Sequence, residues 1–188
     1  MQQIRQYFEN MVPFSDKDWA IFFSKLQRVE VPGKTLLLKT GQKEQYLSFI
    51  EQGIVRFFIP KEENDVTFSF SFSNTFVSAY DSFLTQSPST YDVETIADTI
   101  LWRVTWQHLQ EIYKESDMGQ LIGRYAAEDI FLKKAKRELQ LLTQTAEELY
   151  LHLLTEQPHL VQQIPLKYLA SYIGITPQAL SRIRKRIS

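Results

Sequence analysis

Seven side chains suited to holding a nucleic acid stand close together near the C-terminus: Thr176, Gln178, Ser181, Arg182, Arg184, Lys185 and Arg186. They are hydroxyls, an amide and cations, groups that pair with phosphate oxygens and base edges. The elements that must position them are written in residues 165–188, PLKYLASYIGITPQALSRIRKRIS. Leu166, Leu169, Ala170 and Ile173 are apolar at helical spacing. Gly174 can take a positive φ and make a tight turn. Thr176-Pro177 then restarts a helix, with a good N-cap followed by a proline at the first helical position. Leu180, Ile183 and Ile187 line one side of that second helix, while Gln178, Ser181, Arg182 and Lys185 mostly point elsewhere. The pattern predicts a helix-turn-helix whose second helix lies in a DNA major groove. Counting Leu166 as position 1, Ala170 falls at 5, Gly174 at 9, Leu180 at 15 and Ile183 at 18. The small residue lets the helices approach, the glycine makes the turn, and the aliphatics lock the second helix.

Charge distribution points the same way. The net charge is only −1, but residues 157–188 hold Lys167, Arg182, Arg184, Lys185 and Arg186 and no acid. The preceding 156 residues carry 16 basic and 22 acidic side chains, a net of −6. A basic end on an acidic body suits phosphate neutralisation. The 188 residues suffice for one large domain or two modest ones, and 44% hydrophobic with 23% charged content is that of a soluble globular protein. No cysteine is present, which excludes disulfides, thiolate zinc sites and cysteine-ligated clusters. There is no run of 18 apolar residues and no signal-like N-terminus, so a cytoplasmic location without a membrane partner is expected.

Upstream, residues 1–29 read as helix in pieces: Ile4, Tyr7, Phe8 and Met11, then Trp19, Ile21–Phe23 and Leu26 behind a Ser15 cap. From about Glu30 to Gln107 the texture is that of strands, expected near 34–38, 46–51, 54–60, 65–72, 76–78, 91–97 and 100–105. Val66–Phe72 alternates apolar and small polar residues. Seven such strands imply a small antiparallel barrel or roll. A helical stretch follows over 106–156, with a break near 115–117. Met118, Tyr125, Leu132 and Leu139 recur every seven residues, with Leu121, Ala135 and Leu142 three further on and Glu128 interrupting. This imperfect seam suits pairing with a second copy or packing on the roll. A second helix over 145–154 and a hinge at Gln157-Pro158 lead into the terminal motif. The expected fold class is α+β. Residues 1–116 form a β-roll with N-terminal helices, 117–144 a long helix, and 145–188 the helix-turn-helix domain.

This order resembles the Crp/Fnr family of bacterial transcription regulators, relatives of the cyclic-AMP receptor protein. The resemblance spans roughly 15–188 and is most specific in LASYIGITPQALSRIRKRI; Pro32-Gly33-Lys34, Gly41 and Gly53 fall where such rolls turn. It implies a cyclic-nucleotide-binding-like double-stranded β-helix, a homodimer paired along the long helix, and DNA carrying a pseudo-palindromic operator, with RNA polymerase as a further partner. Base contacts carried over fall on Pro177, Gln178 and Arg182; Pro177 offers no polar group, whereas Gln178 suits adenine and Arg182 suits guanine. Thr176, Ser181 and Lys185 are placed for phosphates, with Arg184 and Arg186 beside them.

The nucleotide grip of that family departs here. Its Gly-Glu-Leu is replaced by Ser78-Ala79-Tyr80 and its Arg-Ser by Ser89-Thr90, so the carboxylate and the cation are missing. Asp81 is close by and would repel a phosphate. The roll is therefore expected not to answer to cyclic AMP, and any effector would be a different small molecule held by Ser78, Tyr80, Asp81, Ser89 or Thr90. Axial haem ligation is not expected, since His108, His152 and His159 all lie outside the strand region. No metal, cofactor or catalytic residue is expected. A cupin-like enzyme would need histidines inside the roll, and 30–105 has none; Walker, nucleophile-elbow and dinucleotide motifs are also lacking. The alternative to a regulator is a non-enzymatic ligand-binding or protein-interaction roll with a vestigial DNA-binding head.

Overall fold

The structure, a computed structural model, describes residues 2–187. Two short helices open the chain, α1 (Gln2–Glu9) and α2 (Asp16–Ser24). Eight strands follow: β1 (Gln27–Val31), β2 (Leu36–Leu38), β3 (Tyr46–Gln52), β4 (Ile54–Ile59), β5 (Val66–Phe72), β6 (Phe76–Val77), β7 (Asp92–Thr95) and β8 (Thr99–Thr105). Helix α3 (Tyr80–Thr85) interrupts them after β6. The chain ends in α4 (Trp106–Glu115), α5 (Gly119–Thr143), α6 (Ala146–Glu156), α7 (Pro158–Gln163), α8 (Leu166–Ile173) and α9 (Pro177–Ile187).

The strands form two four-stranded sheets, ordered β1-β8-β3-β6 and β2-β7-β4-β5. Every pairing whose register is resolved is antiparallel. The α+β roll expected from the strand texture is thus present, with one strand more than the sequence suggested. That strand is β1, in a stretch expected to be helical: Gln27–Val31 pairs along its whole length with β8, from Gln27 opposite Arg103 to Val31 opposite Thr99. The chain does break at Gln157, between α6 and α7, as expected; α7 itself was not, and Pro158 is its first residue, a position where its missing N–H costs nothing.

The core is aromatic. Ile4 and Phe8 of α1, Phe22 of α2, Phe49, Trp102 and Val104 of the strands, Phe83 of α3, and Leu109, Ile112 and Ile122 of the helices bury together. Phe8 meets Phe22 edge-on at 4.6 Å, and Tyr7 meets Phe76 at 5.2 Å, geometries that suit the ring quadrupole. Asp18 ties this core to the junction of α4 and α5. It closes a capping box with Ser15, whose hydroxyl accepts from the Asp18 N–H at 3.1 Å while the Asp18 carboxylate accepts the Ser15 N–H at 3.3 Å. Its other oxygen accepts the Ser116 hydroxyl at 2.6 Å and the Asp117 N–H at 3.1 Å, where α4 gives way to α5.

Helix α5 divides its apolar residues. Met118, just before it, and Leu121, Ile122 and Tyr125 pack on the core of the roll. Phe131, Leu132, Leu139 and Leu142 stay 69%, 66%, 62% and 76% exposed. The heptad pattern therefore serves two surfaces, the first half covered by the chain itself and the second half bare. The chain divides into two compact units, Met1–Phe57 with Phe70–Asp129, and Phe58–Ser69 with Ile130–Ser188. The division falls inside α5, and the tip of the β4–β5 hairpin belongs to the unit of the C-terminal helices.

Burial alone would push the Asp18 carboxyl up, but the hydrogen bonds from Ser116 and Ser15 prevail and hold it below its ordinary value. A lowered carboxyl contributes stability that is present above the unfolded-state pKa of ~4 and lost as pH falls through the folded value. Asp18→Ala is expected to destabilise the protein by roughly 1.5–3 kcal/mol at pH 7. Chemical denaturation should show that loss shrinking below about pH 4; an equal loss at pH 7 and pH 3 would contradict the assignment.

Candidate nucleic-acid interface

Helices α8 and α9 are built by the residues that the sequence singled out. Leu169, Ala170 and Ile173 are buried, Ala170 completely, which lets the helices come close. Gly174 takes φ 90° and ends α8; its N–H donates to Ala170 O at 3.0 Å, and the Ile175 N–H donates to the same carbonyl at 3.0 Å. No neighbouring atom would obstruct a side chain at this glycine, so the left-handed backbone alone selects it. Thr176 caps α9: its hydroxyl accepts the Ala179 N–H at 3.2 Å.

Leu180, fully buried, fixes the rotational phase of α9. On a helix of 3.6 residues per turn, Gln178, Ser181, Arg182 and Lys185 stand at i, i+3, i+4 and i+7 and share one face. Leu180, Ile183 and Ile187 lie on the other side. All four polar residues are exposed, and none makes a side-chain hydrogen bond or ion pair among the described residues. Their face runs ~10 Å along the axis. Thr176, Arg184 and Arg186 are exposed beside it, and Arg186 is ion-paired with Glu147 of α6. Three cations in the last turn of α9 also complement its C-terminal dipole.

Two supports of this pair of helices escaped sequence reasoning. The Ser171 hydroxyl donates to Asp65 O at 2.6 Å and accepts the Thr67 N–H at 2.8 Å, both on the β4–β5 hairpin. The guanidinium of Arg137, in α5, lies 3.9 Å from the centre of the Tyr172 ring and donates to the Tyr172 carbonyl. These contacts join residues 35 to 106 positions apart, and no local pattern announces them.

The five residues expected to hold an effector lie in two stretches of the roll, 78–81 and 89–90, joined by a hydrogen bond between Tyr91 and Asp81. Ser78 donates to Tyr46 O at 3.0 Å, and Ser89 donates to Tyr91 O at 2.8 Å, closing its own turn. Tyr80 opens α3 and its ring stacks on Phe83 at 6.3 Å. Asp81 accepts the phenol of Tyr91, while Thr90 is exposed. Burial raises the Tyr80 phenol, and burial followed by the Asp81 carboxylate raises that of Tyr91, so both rings are neutral donors at physiological pH. Ala79, where the resemblance would put a sugar-binding carboxylate, has its N–H accepted by Glu44 at 3.3 Å. Burial pushes the Glu44 carboxyl up, against the N–H groups of Tyr46, Ala79 and Gln45 and the charge of Arg103. An open pocket of about 410 Å³ lies along Leu37, Leu38 and Gln42–Tyr46, and none of the five expected residues lines it. No group of three or more His, Cys, Asp or Glu side chains able to hold a metal occurs among the described residues. Nor is any described helix long and apolar enough to cross a membrane.

A two-sheet roll, a long helix and a terminal helix-turn-helix define the fold of the Crp/Fnr-type regulators. The chain is similar to a transcriptional regulator assigned to the crp/fnr family from Eubacterium rectale, at 16% identity and TM-score 0.70, over 94% of this chain and 87% of that one. It is similar to FixK2 from Bradyrhizobium japonicum at 14% identity and TM-score 0.69, over 86% and 84% of the two chains. The c-di-GMP responsive global regulator CLP of Xanthomonas campestris shows 17% identity and TM-score 0.66, over 92% and 91%. No curated protein matches the sequence. Residues 28–116 match the family model of the Cyclic nucleotide-binding domain, and the fold is similar to that of the Crp/Fnr-type regulators above. The resemblance read from the sequence is borne out.

Proposed function

We propose that the protein is a homodimeric, sequence-specific DNA-binding regulator of transcription, acting in the cytoplasm on an inverted-repeat operator. The observation that carries this reading is the face of α9, where Gln178, Ser181, Arg182 and Lys185 stand exposed and unengaged opposite the buried Leu180. Gln178 pairs with adenine and Arg182 with guanine O6 and N7, while Thr176, Ser181 and Lys185 hold phosphates. Arg184 and Arg186 add positive charge at the rim. Residues 1–116 act as the sensor, 117–144 as the dimerisation helix and 145–188 as the DNA-binding head, with RNA polymerase the partner that reads the outcome.

The second copy is argued from α5. On its helical wheel Phe131, Leu132, Ala135, Leu139 and Leu142 fall on one stripe about 100° wide. Burying such side chains is worth ~1.5–3 kcal/mol each, and a second copy of the same stripe is self-complementary about a two-fold axis. That axis would place two α9 helices in successive major grooves about 34 Å apart. The effector reading is negative: with Glu44 on the Ala79 amide and Ser89 closing its own turn, the roll offers cyclic AMP neither a ribose acceptor nor a phosphate cation at the family's positions.

Binding selection with the full chain should enrich an imperfect inverted repeat; enrichment of no palindromic site would overturn the reading. Arg182→Ala should cost roughly 1–3 kcal/mol and relax preference at one base pair, whereas Lys185→Ala should weaken all sequences alike and reduce the salt slope by about 1. The double substitution Leu132→Glu, Leu139→Glu should sediment as a monomer and lose the preference for a full repeat over a half-site. Cyclic AMP in the micromolar range should leave the melting temperature unchanged, since a ligand at 100 times its Kd adds ~2.7 kcal/mol.

A further inference from the structure

We propose that Ser171 and Arg137 are positioning residues for α9, clamping α8 from two sides and so setting the angle at which the recognition face is presented. The inference rests on the DNA-binding reading above and adds a mechanism to it. All of the groups involved lie within one compact unit, which contains the hairpin tip 58–69 as well as the C-terminal helices.

The first jaw is a sheet edge. β5 ends its sheet, and the backbone groups on its outer side have no strand to pair with. In an extended chain the C=O of one residue and the N–H of the residue two further on point the same way. Asp65 C=O and Thr67 N–H form such a pair, and Thr67 is buried, so its N–H needs a partner other than water. A single hydroxyl serves both: Ser171 donates to one at 2.6 Å and accepts from the other at 2.8 Å. Alanine, cysteine or valine at this position could not supply both bonds at this geometry.

The second jaw acts on the next residue, about 100° further round α8. The last four carbonyls of a helix lack intrahelical donors. Here Gly174 and Ile175 satisfy those of Ala170 and Ser171, and Arg137 donates to that of Tyr172. The guanidinium also lies over the Tyr172 ring at 3.9 Å, a planar stack that lysine cannot reproduce. Its Nε is buried and makes no hydrogen bond among the described residues, so the fork is held at a cost that only the stack and the carbonyl offset. Four residues separate Tyr172 from Pro177, and the turn between them is fixed by Gly174 and by the Thr176 cap. With α8 held at Ser171 and Tyr172, and Leu180 buried, α9 has no freedom to tilt independently.

The test uses the full-length protein with Ser171→Ala, Ser171→Thr, Arg137→Ala and Arg137→Lys. Amide exchange without DNA should quicken about tenfold over 166–187 in Ser171→Ala and Arg137→Ala, the loss of one or two hydrogen bonds, and stay unchanged over 46–57. Ser171→Thr, which keeps the hydroxyl, should restore protection; Arg137→Lys, which loses the stack, should not. On DNA, affinity for a full inverted repeat should fall about tenfold while affinity for a single half-site stays within about twofold, because only the full site needs both heads at one angle. Unchanged exchange over 166–187, or equal losses on half-site and full site, would overturn the clamp. If the unaltered protein selects no DNA, the DNA-binding reading fails while the exchange experiment still decides the clamp.

Discussion

The most demanding constraint on this molecule is that one helix, α5, must satisfy two environments along its length. Its first two turns are apolar toward the roll, where Leu121, Ile122 and Tyr125 join a core already crowded with phenylalanines. Its later turns present Phe131, Leu132, Leu139 and Leu142 to solvent. Leaving four such side chains bare forgoes several kcal/mol of burial, which a chain tolerates when a partner covers the patch. The junction with α4 is held accordingly: Asp18 takes the Ser116 hydroxyl and the Asp117 N–H, and fixes where α5 begins and in which phase.

What the sequence made legible was whatever depended on neighbours within one or two turns. The α8–turn–α9 pattern is local: a glycine forced into the left-handed region, a threonine cap and aliphatics at fixed spacing, and the structure places each where those offsets require. The break before α5 and the start of α6 after Thr145 are local too. β1 was not legible because QRVEV is a largely polar strand defined by its pairing with β8, and its residues run on from the helical pattern of α2. α7 was obscured by Pro158, which can either break a helix or begin one. The effector residues illustrate a harder limit. Ser78 and Ser89 have suitable chemistry, but their hydroxyl protons are donated to Tyr46 O and Tyr91 O, partners that the linear sequence does not rank. Glu44, the carboxylate that occupies the Ala79 amide, lies 35 residues away in the β2–β3 connection.

Two carboxylates show how the same donors give opposite outcomes. Asp18 and Glu44 each accept backbone N–H groups. Asp18 also receives hydroxyls from Ser15 and Ser116, and the sum of these bonds outweighs burial. Glu44 has the N–H groups of Tyr46, Ala79 and Gln45 and the charge of Arg103 beside it; burial prevails and its carboxyl is raised. Asp18 therefore acts as a fixed structural charge. Glu44 is an acid whose proton is easier to keep, filling with an internal group a place where the sequence had suggested that an external ligand's partner was missing.

The arrangement of the second half of α5 and the head then has a geometric consequence. Arg137 follows Leu132 by five residues and precedes Leu139 by two, which puts it roughly 140–160° around the helix from both. One side of α5 thus carries the bare leucine stripe and the far side carries the clamp on Tyr172. A rotation of this part of α5 about its own axis cannot move one without the other. Pairing two copies along the stripe would fix the rotation of both α5 helices, and through Arg137 the pose of both α8 helices. Ser171 holds the neighbouring residue of the same short helix to the backbone of the β4–β5 hairpin. A displacement of that hairpin would pull on Ser171, while a change in pairing would turn Arg137. Both would reach α9 through adjacent residues of α8, Ser171 and Tyr172.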